Sequence, residues 1–300
     1  METFLMTGAN RGLGLGLVTE LVARSDTFVV AAIRSSATQD LRKIAAQNPD
    51  RLMITPMHLA DQDSILAAAA EVSKRVDHLD VLVNNAAAHP PAGEQSFKAV
   101  TRDQMMQVFE VNAVTPFLVV RAFLELLRRS SRPRIVNISS ERGSMAWQAG
   151  HGGYYSYSLG KAGLNMLPRL LAVDLAPHNV ITISVHPGWM RTQWGGAHAA
   201  LSPAESAHGI LELIGQLTPG QNGGFYKWNA EVHPWQEGRH HPGTVSLSRP
   251  PARWLDGSNR LHASAFEPGK LRCSLSMRLH RRESKITPCR ADIPRKEESS

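Results

Sequence analysis

Cysteine is nearly absent from this chain of 300 residues, and its two cysteines, Cys273 and Cys289, lie near the C-terminus. The preceding part of the chain therefore forms no disulfide and has no thiol nucleophile or cysteine metal site. This usage suits a reducing compartment, so a cytoplasmic protein is expected. The chain begins with no basic region followed by a long apolar one, and no run reaches the roughly 18 apolar residues of a membrane span.

The basic residues are unevenly distributed. Residues 237–300 hold 13 Lys and Arg against 7 Asp and Glu, whereas residues 1–236 hold 20 against 19. The C-terminal segment also lacks a sustained apolar period and contains scattered Pro and Gly. We therefore predict one α/β domain over 1–236 and a disordered basic extension over 237–300. Because the excess charge belongs to that extension, it is poor evidence for a nucleic-acid partner.

A glycine-rich turn follows the first apolar strand. Thr3–Thr7 is predicted as a buried strand, and Gly8, Gly12 and Gly14 lead into a helix that runs to about Ala23. Glycines allow the backbone to approach a pyrophosphate, whose charge meets the free amides of the helix N-terminus. The pattern predicts a dinucleotide site, although a glycine-rich turn without a ligand has the same appearance.

The second predicted strand, Phe28–Ile33, ends in Arg34 and not in an acidic residue. An acidic side chain there would bind a ribose 2′-hydroxyl, whereas an arginine accommodates a 2′-phosphate. Arg34, together with Arg11 in the glycine loop, therefore favours NADPH over NADH. Either arginine could instead be a solvated surface residue.

Asn84, Asn85, Ala86 and Ala87 follow a short apolar strand, where small residues let the chain pass under a nucleotide. A predicted helix over 102–128 contains Asn112 and Pro116. Since proline has no N–H, the Asn112 carbonyl loses its helix partner and can hold a water molecule for proton transfer. A simple proline kink is an equally good interpretation.

Two further strands end in polar residues. Ser139 and Ser140 follow Ile135–Ile138, and a hydroxyl there can orient a substrate carbonyl. A segment containing Pro187, Gly188 and Thr192 follows Ile181–Val185, and Thr192 can bind a phosphate or carboxamide. Both segments are expected at the carboxyl edge of the sheet, where α/β folds bind ligands.

Tyr157 and Lys161 lie four residues apart and therefore share one helix face. A cation beside a phenol favours the phenolate, so Lys161 is expected to lower the pKa of Tyr157. A shift to near neutrality takes roughly 4 kcal/mol, which requires a second positive group such as an oxidised nicotinamide. The pair would then act as a proton donor for carbonyl chemistry.

In this order, the motifs TGANRGLG, NNAA, ISS, YSLGK and HPGWMRT resemble those of the short-chain dehydrogenase/reductase family. Four later segments more narrowly resemble its C-factor-like and Sniffer-like carbonyl reductase branch: GGYYSYSLGKAGLN, LAVDLAPHNVITISVHPGWMRT, SPAESAHGI and QNGGFYKWNAEVHPW. The resemblance covers about residues 1–235. The resemblance implies a Rossmann-type, doubly wound fold with a seven-stranded parallel sheet. It implies Tyr157 as acid/base, Lys161 as ribose ligand, Ser140 as carbonyl orienter and Asn112 as anchor of a proton relay. The expected NADPH-binding residues are Thr7, Gly8, Asn10, Arg11, Gly12, Leu13, Gly14, Arg34, Asn84, Ala86, Tyr157, Lys161, Pro187, Gly188 and Thr192.

Four residues depart from the family pattern: His58, Ala87, Gly160 and Pro168. His58 replaces an aspartate that commonly contacts adenine. Ala87 replaces a glycine near the cofactor, and Gly160 replaces a serine beside Lys161. Pro168 lies within the predicted helix of about Tyr155–Leu175, which often forms the dimer interface of the family, so a homodimer is expected only if that surface tolerates the proline.

The resemblance implies NADPH-dependent reduction of a small aldehyde, ketone or quinone. The charge distribution and the apolar runs predict no nucleic-acid or membrane partner. Four large side chains flank the expected pocket and suit hydrophobic substrates, although they could equally be core or lid residues: Trp147, Trp189, Met190 and Trp194. A nucleotide-binding signalling protein of low turnover is the alternative, suggested by Ala87, Gly160 and Pro168.

Overall fold

A parallel sheet of seven strands forms the centre of residues 1–90, 95–148 and 152–235, the parts of the chain that this computed structural model describes. The strand order is β3-β2-β1-β4-β5-β6-β7. The strands are β1 (Glu2–Thr7), β2 (Thr27–Ile33), β3 (Leu52–Pro56), β4 (Val81–Asn84), β5 (Arg134–Ile138), β6 (Ile181–His186) and β7 (Phe225–Lys227). This topology confirms the predicted doubly wound fold. The predicted extension over 237–300 lies outside the described residues.

Helices cover both faces of the sheet. They are α1 (Gly12–Ala23), α2 (Gln39–Gln47), α3 (Gln62–Ser73), α4 (Arg102–Phe109), α5 (Thr115–Arg128), α6 (Met145–Gln148), α7 (Tyr155–Asp174) and α8 (Pro203–Gln216). Alternate residues of β1 point to opposite faces, so Phe4 and Met6 pack with α1 and α8 while Leu5 packs with α5 and α7. Among the described residues, none of these helices has the length and apolar character needed to cross a membrane.

The strand order places a ligand site between β1 and β4. The chain moves outward from β1 through β2 to β3, then crosses back so that β4 pairs with the other edge of β1. The loops after these two strands therefore diverge at the carboxyl edge of the sheet. Open α/β sheets bind ligands in the crevice that such a reversal creates.

The helix predicted over 102–128 is present but is divided by one π-helical turn. α4 ends at Phe109, the turn covers Glu110–Val114, and α5 begins at Thr115. Pro116 occupies the first turn of α5, where its missing N–H removes one backbone donor from the junction. The wider π turn accommodates this break without separating the two helices.

Pro168 does not interrupt α7, which runs from Tyr155 to Asp174. Its ring is buried, as are Leu164, Leu167 and Leu171 on the same helix. These leucines pack against the sheet core, so the proline belongs to the inner side of the helix. The outer side carries four exposed apolar residues, Leu159, Met166, Leu170 and Val173.

Candidate active site

The glycine loop between β1 and α1 is as tight as the sequence predicts. Gly8 and Gly12 have φ values of +68° and +56°, a region that favours glycine. A Cβ on Gly8 would lie 2.9 Å from the Cα of Ala86, and one on Gly14 would lie 2.3 Å from the Gly8 carbonyl oxygen. The loop therefore packs directly under the end of β4, and α1 begins at Gly12 facing the cleft.

Side chains of the first two crossovers hold this loop in place. The Thr7 hydroxyl accepts hydrogen bonds from the backbone amides of Asn85 and Ala86, at 3.1 and 3.0 Å. The Asn10 carboxamide oxygen accepts from the Thr38 amide at 2.7 Å, which fixes the loop after β2. These contacts tie the carboxyl ends of β1, β2 and β4 together around one cleft.

Two arginines face the part of the cleft beside β2. Arg34 is exposed at the end of β2, and the residues that follow it are Ser35 and Ser36. Arg11 is also exposed, and its Nη1 donates to the Gln193 Oε1 at 2.7 Å. Positive charge without an acidic residue at the end of β2 can accommodate a 2′-phosphate.

Most of the predicted site residues line this single cleft. They are Thr7, Gly8, Asn10, Arg11, Gly12, Leu13, Gly14, Arg34, Ala86, Ser140, Tyr157, Lys161, Pro187, Gly188 and Thr192. His58 and Ala87 also line it, and both are exposed. Asn84 does not, because its side chain is buried and donates to the Asn137 Oδ1 at 2.9 Å. Its side-chain amide links β4 to β5, so the predicted cofactor contact of Asn84 stays a prediction for its backbone alone.

Ser140 and Tyr157 meet at the end of the cleft beside β5. The Tyr157 hydroxyl is hydrogen-bonded to the Ser140 side chain. Ser139 turns away, because it is buried and its hydroxyl donates to the Lys161 carbonyl oxygen at 3.4 Å. Ser140, and not Ser139, thus presents its hydroxyl beside the phenol.

Lys161 lies one turn after Tyr157 on α7 and is 1% exposed. Its Nζ donates to the Ile138 carbonyl oxygen at 2.7 Å and lies 5.8 Å from the centre of the Tyr157 ring. Burial lowers the pKa of Lys161 from 10.5 to about 7. The ammonium is therefore held at the base of the site, in a setting that favours loss of its proton.

The pKa of Tyr157 moves opposite to the sequence-based expectation. Burial raises it to about 12, and only the Ser140 hydrogen bond and the charge of Arg142 act in the other direction. Lys161 does not offset this burial, because its own charge is suppressed by the same surroundings. The protein groups by themselves keep the phenol protonated, as a proton donor requires.

Asn112 lies behind this pair, outside the cleft lining, in the π turn. Its carboxamide accepts from the Ala88 amide at 2.7 Å and donates to the Ala88 carbonyl oxygen at 2.9 Å. Gly160 on α7 faces it, and a Cβ there would lie 3.1 Å from the Asn112 Cβ. The glycine thus permits close packing of α7 on the π turn, which explains its departure from the family pattern.

Three residues that the sequence reasoning missed also line the catalytic end. Arg142 lies over the rings of Trp147 and Tyr154, at 4.9 and 3.8 Å from their centres. The ring of His89 lies between those of Tyr157 and Trp194. His186 accepts from the Glu141 amide at 3.2 Å, which supports the turn after Ser140. His186 precedes the Pro-Gly pair and could have been found from that position, whereas Arg142 and His89 are in no recognisable pattern.

Comparisons with known proteins agree with this geometry. The family model for short chain dehydrogenases matches residues 2–200. Short-chain dehydrogenase RED3 of Pyricularia oryzae is 30% identical over 248 residues, covering 78% of this chain and 98% of its own length. The C-signal protein of Myxococcus xanthus is 35% identical over 161 residues, covering 52% of this chain and 93% of its own.

Solved structures of two carbonyl reductases are also similar to this chain. The NADPH-bound carbonyl reductase from chicken fatty liver is 34% identical with a TM-score of 0.73, covering 78% of this chain and 99% of that one. The carbonyl reductase Sniffer of D. melanogaster is 30% identical with a TM-score of 0.74, covering 78% and 100%. With its glycine loop, its parallel sheet and its paired Tyr157 and Lys161, this chain belongs to the short-chain dehydrogenase family of oxidoreductases.

Proposed function

We propose that this protein reduces a carbonyl group of a small molecule to the alcohol with NADPH, and that Tyr157 donates the proton. The observation that carries the proposal is the hydrogen-bonded pair of Ser140 and Tyr157, with buried Lys161 beneath it, in the cleft that also contains the glycine loop. Two hydroxyls at one point can hold and protonate a carbonyl oxygen.

The glycine loop fits a dinucleotide. Side chains at Gly8 or Gly14 would collide with neighbouring backbone, so the space above the loop is kept for close approach. Arg11 and Arg34 would hold the 2′-phosphate, and Lys161 and Thr192 the nicotinamide half. When bound, NADPH supplies the hydride. The chicken and Burkholderia multivorans neighbours, which contain bound NADPH and NADP, support this choice.

The residues of this chain then have distinct roles. Ser140 orients the carbonyl oxygen, and Tyr157 transfers its proton to that oxygen as negative charge develops there. Arg142 is the charge that favours the phenolate left behind. Lys161, whose pKa of about 7 lets it exchange a proton near neutral pH, would resupply Tyr157, and Asn112 would anchor this relay as the family resemblance implies.

The walls of the cleft favour an apolar substrate. Trp189, Met190 and Trp194 all line it, and Trp189 and Trp194 are 56% and 52% exposed. Large apolar side chains kept at a ligand cleft favour hydrophobic aldehydes, ketones or quinones. The carbonyl reductases among the solved neighbours support the same reaction class.

Tyr157→Phe tests the proton donor. The ring and its packing remain and only the proton is lost, so carbonyl reduction should fall by at least about 100-fold while the Kd for NADPH stays within a few-fold. Tyr155→Phe is the matched control on the same helix and should retain activity. Wild-type turnover by the Tyr157 variant would show that another acid serves the site.

Arg34→Asp tests the cofactor. Exchange of a phosphate partner for a hydroxyl acceptor should shift the ratio of kcat/KM values from NADPH toward NADH. Arg42→Asp is the matched control, since Arg42 lies on α2 and does not line the cleft. Equal use of NADPH and NADH by the wild type would contradict the assignment.

Two of the three residues that suggested a signalling protein of low turnover have a structural explanation. Gly160 has a packing role against Asn112, and Pro168 is accommodated inside a continuous α7. NADPH oxidation with a panel of aldehydes, ketones and quinones separates the two functions. Turnover with none of them, despite NADPH binding, would favour the alternative.

We propose a homodimer through the outer side of α7. Four apolar residues on this side are each at least 45% exposed: Leu159, Met166, Leu170 and Val173. Pro168 is buried on the other side of the helix and is not part of this surface. Light scattering should give twice the chain mass, and Met166→Glu should give the monomer. A monomeric wild type would refute the interface.

The domain boundary near residue 236 is also a proposal. The chain truncated after Trp235 should fold and bind NADPH with an unchanged Kd, because the sheet and its helices are complete by then. Loss of binding on truncation would place residues 236–300 in the functional unit. A cytoplasmic location stays a prediction from cysteine usage alone.

A further inference from the structure

His89 lies in the segment after β4 and its ring is enclosed by two others. The centre of the imidazole is 4.3 Å from that of the Tyr157 ring, with 22° between the planes. It is 4.4 Å from that of Trp194, with 16° between the planes. All three residues line the cleft. Because both faces of the imidazole are covered, only its edge is left for a substrate.

That edge carries hydrogen-bonding capacity. Burial, helped by the charge of Lys161, lowers the pKa of His89 to about 4, so the ring is neutral under physiological conditions. A neutral imidazole has one N–H donor and one acceptor nitrogen at its edge. Within the parts of the chain that the structure describes, neither nitrogen has a hydrogen-bond partner.

Trp194 is held in place by its own segment. The Thr192 hydroxyl accepts from the backbone amides of Trp194 and Gly195, at 3.4 and 3.2 Å, and so fixes the turn that carries the indole. The neighbouring Gln193 is bonded to Arg11 at 2.7 Å. The outer face of His89 is therefore covered by a supported ring, which keeps the imidazole packed against Tyr157.

We propose that His89 is a specificity-determining residue whose ring edge binds a second oxygen of a carbonyl substrate while the reacting carbonyl lies at Ser140 and Tyr157. The inference rests on the proposed carbonyl reduction. Since His89 is stacked directly on Tyr157, its edge is displaced from the phenol by about the distance between the two ring centres, 4.3 Å. The favoured substrates carry an additional oxygen at that separation from the reacting carbonyl.

His89→Phe tests this role because it keeps a flat ring between Tyr157 and Trp194 and removes both nitrogens. We would measure kcat/KM with NADPH for 1-phenyl-1,2-propanedione and for two ketones that each lack one of its oxygens, propiophenone and phenylacetone. The variant should lose about tenfold for the dione, the usual effect of one hydrogen bond in a site built for it. The values for both monoketones should stay within threefold.

His178→Phe is the matched control, since His178 precedes β6 at the opposite edge of the sheet and should leave all three values unchanged. An equal loss for the three compounds would overturn the inference and make His89 a packing residue only. Unchanged values for the dione would also overturn it. A wild type that reduces none of the three compounds, although it binds NADPH, would refute the proposed function and the inference together.

Discussion

Replacing Lys161 with methionine should stabilise the fold while it abolishes carbonyl reduction. The side chain is 1% exposed, and burial lowers its pKa from 10.5 to about 7. A pKa difference of this size means that burial of the fully protonated amine destabilises the folded protein by about 5 kcal/mol. At pH 7, where the folded amine is partly deprotonated, the cost is about 4 kcal/mol. Loss of the hydrogen bond to Ile138 destabilises the variant by about 1 kcal/mol, and imperfect packing of the thioether destabilises it by about as much again. A net gain of about 2 kcal/mol remains.

The pH dependence identifies the cause. Unfolded Lys161 keeps its proton up to about pH 10.5, whereas the folded group releases it near pH 7. The unfolded wild type therefore binds more protons than the folded wild type between these pH values. As a result, the free energy of unfolding of the wild type increases relative to that of the variant as pH rises. The advantage of Lys161→Met should be largest below pH 7 and should reverse to a deficit of about 2 kcal/mol near pH 10.5, where the burial cost has vanished and only the lost hydrogen bond and the poorer packing remain.

Urea unfolding followed by tryptophan fluorescence, at pH 7 and pH 10, measures this difference. Lys98→Met is the matched control, because Lys98 is exposed and its removal should change the free energy of unfolding by less than about 0.5 kcal/mol. Lys161→Arg should destabilise the protein, since a guanidinium cannot release its proton. If Lys161→Met is less stable than the wild type at pH 7, the ammonium contributes net stability and the burial argument is wrong.

Three further perturbations follow from the packing of the site. Gly14→Ala places a Cβ 2.3 Å from a backbone oxygen, so NADPH binding measured by fluorescence titration should be lost, and an unchanged Kd would contradict the proposed cradle. Gly160→Ala should lower turnover several-fold by displacing Asn112, whereas Gly163→Ala, which crowds the same π turn elsewhere, should not; equal effects would remove Asn112 from the explanation. The pKa of His186 is lowered to about 4 by burial, so the free energy of unfolding should fall as pH drops from about 6.5 to 4, and His186→Asn should reduce that slope.

The sequence predicted the parts of the fold that follow strong local patterns. The buried strands β1, β2, β4, β5 and β6 are continuous apolar runs, and each was located to within about a residue. β3 and β7 were implied only by family resemblance, because Leu52–Pro56 and Phe225–Lys227 are short and mixed in character. Their places at the two edges of the sheet depend on pairing with β2 and β6, which no local pattern encodes.

The candidate site likewise has some features that a local sequence pattern predicts and others that depend on tertiary packing. Glycine spacing and the Tyr157–Lys161 interval are local, so the sequence was sufficient to find them. The sequence did not predict the direction of the pKa shift of Tyr157. That shift depends on how much of the protein surrounds the phenol, and burial outweighs a cation four residues away. The position of the Asn84 side chain also depends on packing, since strand pairing turns its amide toward Asn137 and away from the cleft.

The departures Gly160 and Pro168 show how one helix can meet two demands. The catalytic face of α7 must approach the π turn closely enough for Asn112 to reach Ala88, and the missing Cβ at Gly160 supplies that space. A glycine in a helix interior costs about 1 kcal/mol and a proline about 3 kcal/mol. Pro168 lies among the buried leucines that pack α7 on the sheet, so its missing hydrogen bond is offset by burial of the ring in the core. α7 therefore continues across Pro168, and its helical spacing keeps Tyr157 and Lys161 one turn apart beside Ser140.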